Sequence, residues 1–281
     1  MKNFKLIYIF NLSFLFLIFK NYATFNTKNN NNYESKLLNK KYFSSLKKVV
    51  YTALLGKYDK IHTINKDKGY DYFMFTDQDF KNHSNCNWTI LPLAKTDNLG
   101  IKNISKLQRF YKTHPHLFFK NYDLSIYVDS SYEIKGNLDE FLLRILSPNI
   151  SIYFLEHQER NCIYKEFEVV LSLKKENLQI INLVKKRYNK LKFPDNVGLA
   201  DNSLIVRMHN EKKCINLMEQ WYNEIALYSH RDQLSFGYIF WKNGYKIVKY
   251  YSKKYCLKYF QQYRHLKNNN KYYKPRYDNK T

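Results

Sequence analysis

Acidic residues are scarce in this 281-residue chain: 24 Asp and Glu stand against 47 Lys and Arg, for a formal charge of +23. Glycine, proline and cysteine are scarce as well, at 7, 5 and 4 residues. The few glycines and prolines exclude a collagen-like or low-complexity chain, and 44% hydrophobic residues exclude a disordered tail. The four cysteines, Cys86, Cys162, Cys214 and Cys256, are far apart and form no CxxC pair, which removes zinc-ribbon and thioredoxin-type sites. In an oxidising lumen they allow three pairings, and free buried thiols fit equally. GxGxxG, the Walker loop, GxSxG, HExxH and the protein-kinase signatures are all missing, which argues against dehydrogenases, P-loop ATPases, serine hydrolases and zincins.

The positive charge has a bland source. Lysine supplies 39 of the 47 basic residues, and Asn, Ile, Phe and Tyr are abundant alongside it, the set that A/T-rich codons encode. The lysines are spread along the chain and no RRM, zinc-finger or helix-turn-helix pattern accompanies them, so no nucleic-acid partner is expected. Acidic partners such as anionic glycans or lipid head groups still suit the surface.

At the N-terminus Lys2 and Lys5 precede an apolar run from Leu6 to Phe19, and a polar, Asn-rich stretch follows. A helix of about 16 residues spans ~24 Å, short of the usual ~30 Å hydrocarbon core and suited to a thin early-secretory bilayer. Ala23 could close a signal-peptidase site, but Asn21 is a poor residue two positions before it. The expectation is a signal anchor, or a cleaved signal peptide, over residues 1–22, with the chain beyond it lumenal in the Golgi or endoplasmic reticulum. A polar linker (23–46), one domain (47–260) and a basic tail (261–281) complete the expected organisation. A domain of this size buries roughly 70 to 75% of the surface its unfolded chain exposes, so its core needs no staple.

Strand and helix patterns alternate through that domain. Lys47 to Leu54, Tyr70 to Thr76, Leu124 to Val128, Ser151 to Leu155 and Asp201 to Met208 read as strands. Helices are expected over Ser105 to Lys112, Asn137 to Leu146, Tyr164 to Leu173 and Asn177 to Asn189. The clearest runs from Glu211 to Tyr228, where Cys214, Met218, Trp221, Ile225 and Tyr228 form one apolar stripe. Arg231 to Trp241 reads as another, with Gly244 as its stop. Such alternation predicts an α/β fold with a mostly parallel central sheet.

Open sheets of this class place their sites beyond the carboxyl ends of the strands. Three polar clusters fall there: Thr52 to Asp59 with Gly56 in its turn, Thr76 and Asp77, and Asp129 followed by Ser130 and Ser131. A carboxylate after a hydrophobic strand suits a hard divalent ion that bridges a diphosphate, Mn²⁺ or Mg²⁺, and it equally suits a turn cap.

Six ordered segments between Val49 and Val248 carry a family resemblance: YTALLGKYD, YFMFTD, KTHPHLFFKNYDLSIYVDSS, HQERNCIYKE, LADNSLIVRMHN and WYNEIALYSHRDQLSFGYIFWK. Together they resemble the glycosyltransferase-like family long catalogued as a domain of unknown function, with plant mucilage-related and bacterial members, which is similar to the GT-A superfamily. The resemblance implies a single GT-A-like, Rossmann-like domain and a nucleotide-sugar donor. It puts Thr52, Gly56, Tyr58, Asp59 and Asp77 around the nucleoside, and Arg109 and Lys112 at the diphosphate. Asp129 would bind the metal, although Ser131 replaces the second carboxylate of a D-x-D motif. His157, Arg160, Asn202 and Arg231 would serve acceptor or phosphate. Asp232 is the expected general base, directed into the cleft, with His209 as the alternative. Rival readings on the same residues are an inactive glycan-binding protein, a hydrolase on the same scaffold and a basic binder of nucleic acid or an anionic surface.

Overall fold

The computed structural model describes residues 43–56, 59, 62, 64–78, 86–93, 100–147, 149–244 and 248–263. The apolar run from Leu6 to Phe19 lies outside them, as do Tyr58, residues 1–42 and residues 264–281 of the expected tail, whereas Gln261 and Gln262, assigned to that tail, are buried strand. Among the described residues no helix is long and apolar enough to cross a membrane.

The strand Lys48–Leu54 (β1) is buried at every residue because it is flanked on both sides and covered on both faces. Its side chains alternate: Val49, Tyr51 and Ala53 enter one core and Val50 the other. Tyr70–Thr76 (β2) pairs parallel on one side and carries Thr89–Leu91 (β3), while Leu124–Val128 (β4) pairs parallel on the other. Next come Ala200–Arg207 (β7), Ile152–Glu156 (β6) and Val248–Tyr251 (β8), giving the order β3-β2-β1-β4-β7-β6-β8. The expected mostly parallel sheet is present, and β7 alone runs against its neighbours. Its start therefore lies beside the ends of the other strands, and Arg207 lies opposite Ser125 near the start of β4.

One face of the sheet is covered by Ile104–Thr113 (α1), Ile163–Ser172 (α4), Leu178–Lys190 (α5), Lys212–Leu227 (α6) and Gln233–Asn243 (α7), with the short Pro115–Phe118 (α2) after α1. The other holds Leu138–Ile145 (α3), Lys253–Cys256 (α8) and a two-stranded pairing of Tyr132–Ile134 (β5) with Phe260–Gln262 (β9). Local chemistry sets the helix ends. Asn103, Asn137 and Asn177 cap α1, α3 and α5 with their side chains, and Gly244 ends α7 in the left-handed region at φ 58°.

Trp221 ties the core to the sheet edge. It is fully buried on α6 against Phe154 and Phe236, and its indole N–H donates to the Asp232 carbonyl at 3.1 Å. Trp221→Ala should cost about 3 to 5 kcal/mol through the cavity it opens. Trp221→Phe keeps a ring and removes one hydrogen bond from that carbonyl, which still accepts from the Phe236 N–H and the Ser235 hydroxyl, at about 0.5 to 1.5 kcal/mol. Urea denaturation reads both, and an alanine loss below about 1 kcal/mol would contradict this packing.

Candidate functional site

Charged residues from three elements meet where β4 ends. The Lys112 ammonium, on the last turn of α1, lies 2.7 Å from Asp232 Oδ2 and 3.6 Å from Asp129 Oδ1. One turn earlier on the same helix face, Arg109 brings Nε to 3.1 Å from the same Asp232 oxygen. Lys112 and Asp232 are buried, whereas Arg109 and Asp129 keep 23% and 25% of their side chains exposed. Burial alone would raise the Asp232 pKa, but the charges of Arg109 and Lys112 outweigh it and hold the carboxyl well below the usual carboxylate range.

The backbone of Lys112 is fixed as firmly as its head. Its carbonyl accepts from Tyr51 Oη at 2.8 Å and from a buried Arg207 guanidinium N–H at 2.9 Å. Two residues passed over in the sequence orient Asp129. The Tyr127 hydroxyl donates to Asp129 Oδ1 at 2.7 Å and accepts from Gln108 Nε2 at 2.8 Å, which also donates to the Ala53 carbonyl at 3.1 Å. Spacing was the available signal: Tyr127 is two residues before Asp129 on one strand face, and Gln108 is four before Lys112 on one helix face.

Asp129 also faces the other layer, where it lines an open crevice with Thr52, His62, Met74, Trp88 and Tyr132. The Thr52 hydroxyl is buried there with no hydrogen-bond partner among the described residues. Beside it the Ser130 hydroxyl donates to buried Asp59 at 3.0 Å, linking the turn after β1 to the end of β4. Gly56, at φ 75°, gives its N–H to both Asp77 carboxylate oxygens at 2.8 and 3.0 Å. Asp77 thus clasps the neighbouring turn, and Gln78 completes the clasp by donating to the Gly56 carbonyl at 2.8 Å.

Several expectations need correction. Asp232 does not project into the cleft; it is a buried counter-ion, and a carboxylate held this far toward its ionised form is a weak proton acceptor. His209 lies at the opposite edge of the sheet, beyond Arg207, with Nε2 2.9 Å from the Phe119 carbonyl. Its pKa is pushed down to about 4, first by burial and then by Arg207 and His116, so it is a neutral core residue. Arg160 is held by its own chain, with Nε 2.6 Å from Glu166 and another nitrogen 2.8 Å from Glu159. His157 packs in the same group, its pKa lowered by burial and by Arg160 against the opposing charge of Glu166. Asn202 is buried beside Asp232. Arg231 follows His230, whose own pKa is lowered by burial and by the charges of Arg109 and Arg231 while Glu176 opposes.

The donor set does not fit a divalent ion. Asp129 Oδ1 already faces a hydroxyl and an ammonium, Ser130 is turned to Asp59, and Ser131 is buried. Among the described residues no group of three His, Cys, Asp or Glu side chains could hold a metal. A hard cation gathers six or more oxygens. Near Lys112 it would meet a repulsion of about 4 kcal/mol per unit charge at 4 Å and an effective dielectric of 20.

A mostly parallel α/β sheet with its polar groups gathered at the carboxyl edge defines a class of ligand-binding folds. Within that class, residues 22–267 match the TOD1/MUCI70, glycosyltransferase-like domain, and the chain belongs to that family. Two solved structures are similar over 74% of this chain: apo WbbM, a bifunctional glycosyltransferase, at 14% identity and a TM-score of 0.44, and apo mouse xyloside xylosyltransferase 1 at 10% and 0.42. The chain spans 39% of the WbbM chain and 84% of the xylosyltransferase chain. No curated protein matches it in sequence.

Removing one partner of a buried pair leaves the other charge uncompensated. Asp232→Asn should therefore cost about 3 kcal/mol or more in urea denaturation, where a mere helix cap would lose almost nothing. The pair's contribution is complete above the unfolded carboxyl pKa of about 4 and is lost as pH falls toward the depressed folded value. The parent should thus lose stability in acid more steeply than the Asn variant.

Proposed function

We propose that the chain is a glycosyltransferase that moves a sugar from a nucleotide-sugar donor to a glycan, protein or lipid hydroxyl. The observation that carries this reading is the Arg109–Asp232–Lys112–Asp129 chain of charges at the end of β4, in a member of a glycosyltransferase-like family. In the transfer the bond from the sugar's anomeric carbon to the diphosphate breaks, and the diphosphate leaves with the electron pair. The acceptor oxygen bonds to the same carbon, and its proton passes to an oxygen of the departing diphosphate. Negative charge grows on the leaving group, and fixed positive charge in a low-dielectric setting stabilises it most.

Arg109 is the exposed cation of the chain and would meet the diphosphate in a planar, two-pronged grip. Asp129, which faces the crevice, would accept hydroxyl hydrogen bonds from the donor. Thr52, with its unpartnered hydroxyl, and the Asp59–Ser130 link would line the nucleoside side. A retaining transfer needs no carboxylate base where Asp232 stands, and the burial of Asp232 favours that course.

The full-length protein should release nucleoside diphosphate from at least one member of a nucleotide-sugar panel. Asp129→Asn should lower that turnover about 10²-fold, the scale of losing one preorganised polar contact to the reacting groups. Glycan binding with no turnover of any donor would instead establish the inactive binding protein. The reading includes the apolar run from Leu6 to Phe19 as a membrane anchor with a lumenal site. Tagged protein should then stay with membranes through an alkaline carbonate wash, and a soluble, shortened secreted form would show a cleaved signal instead.

A further inference from the structure

The transferase reading raises the question of which positive charge meets the diphosphate, since Asp129 is a poor metal ligand where it stands. Its Oδ1 accepts the Tyr127 hydroxyl at 2.7 Å and faces the Lys112 ammonium at 3.6 Å. That ammonium cannot retreat: its carbonyl is held by Tyr51 and Arg207, and its head is 2.7 Å from Asp232. Asp232 in turn holds Arg109, so one buried carboxylate positions two cations. Arg231, next to Asp232 in the chain, has a buried Nε with no hydrogen-bond partner among the described residues, a donor left over for a ligand. Arg109 and Lys112 thus meet at Asp232, and Arg231, whose charge acts together with that of Arg109 on His230, adds a third cation to the neighbourhood. That is a place for an anion, not for a second cation.

We propose that this site binds the diphosphate of its donor with Arg109 and Arg231 over a fixed Lys112, and that it works without a divalent ion. The arrangement divides the labour between the three cations. Arg109, partly exposed, reaches the phosphate oxygens, and Arg231 adds its unpaired Nε–H. Lys112 is buried, so it acts as a positioning residue that supplies field from beneath and already pairs with Asp129 Oδ1. A guanidinium carries a permanent charge and a rigid fork of donors, so metal-free recognition of a diphosphate falls to arginine more readily than to lysine.

The inference rests on the transferase reading, and calorimetry on the full-length protein separates the two. UDP, GDP and CDP are titrated after chelation with EDTA and again with 1 equivalent or more of Mn²⁺, alongside the corresponding nucleosides. The expected result is that at least one diphosphate binds in EDTA, with an affinity that Mn²⁺ changes by no more than about two-fold. Arg109→Gln and Arg231→Gln should each weaken that diphosphate by about ten-fold, the scale of one charge-assisted contact, and leave the nucleoside unchanged. The six-line EPR signal of free Mn²⁺ should persist when apoprotein is added. Binding that requires Mn²⁺ and loses that requirement in Asp129→Asn would overturn the inference and leave the transferase reading standing. No binding of any diphosphate in either condition would overturn the reading, and the inference with it. The wild-type comparison of EDTA with Mn²⁺ decides the matter even if a variant fails to fold.

Discussion

The ammonium of Lys112, buried between Asp232 and Asp129, is the constraint on which the rest of the site depends. A lone buried charge is expensive, and here the expense is met from three directions. Asp232 supplies the close counter-charge, Asp129 a second and longer one, and the Tyr127 ring lies 4.9 Å from the ammonium. Because both carboxylates answer to one cation, the end of β4, the last turn of α1 and the start of α7 are locked in register. Trp221 extends that lock into the core through the Asp232 carbonyl.

Asp129 marks the boundary between the two layers of the molecule. On the helix-rich side it belongs to the ion chain, and on the other it opens onto the crevice lined by Trp88, Met74 and Tyr132. One side chain thus reports to a rigid charged cluster and to a partly apolar slot at once. The reversal of β7 makes this possible, since it brings Ser203, whose carbonyl accepts from the Asp129 N–H at 2.8 Å, to the carboxyl edge.

The fold was legible where periodicity was strong. β2 and β4 begin and end where the sequence pattern puts them, and the apolar stripe of α6 is buried core. Strands of three or four residues, β3, β5, β8 and β9, are too short to show a period, and their pairing is decided by distant partners. The direction of β7 was equally hidden, because a fully buried strand reads alike in either sense. In the site, the residue types were legible and their partners were not. Arg109, Lys112, Asp129 and Asp232 are separated by up to 123 positions yet lie in one chain of contacts. Nothing local told that Asp232 would face two cations rather than solvent, or that β7's reversal would carry His209 to the far edge.

Lys112 is gripped at both ends, by hydrogen bonds at its carbonyl and ion pairs at its head, and this has a dynamic consequence. The cationic cluster cannot loosen without breaking contacts to β1, β7 and α7 together, so it opens only when much of the domain opens. The turn at Gly56 is built otherwise: it is secured by the exposed carboxylate of Asp77 and the amide of Gln78, contacts that water can replace one at a time. The two clusters therefore differ in how much of the fold must open to release them. A ligand that needs both would find the cationic one already set, and its entry and its release would each pass by the looser contacts, since dissociation retraces association.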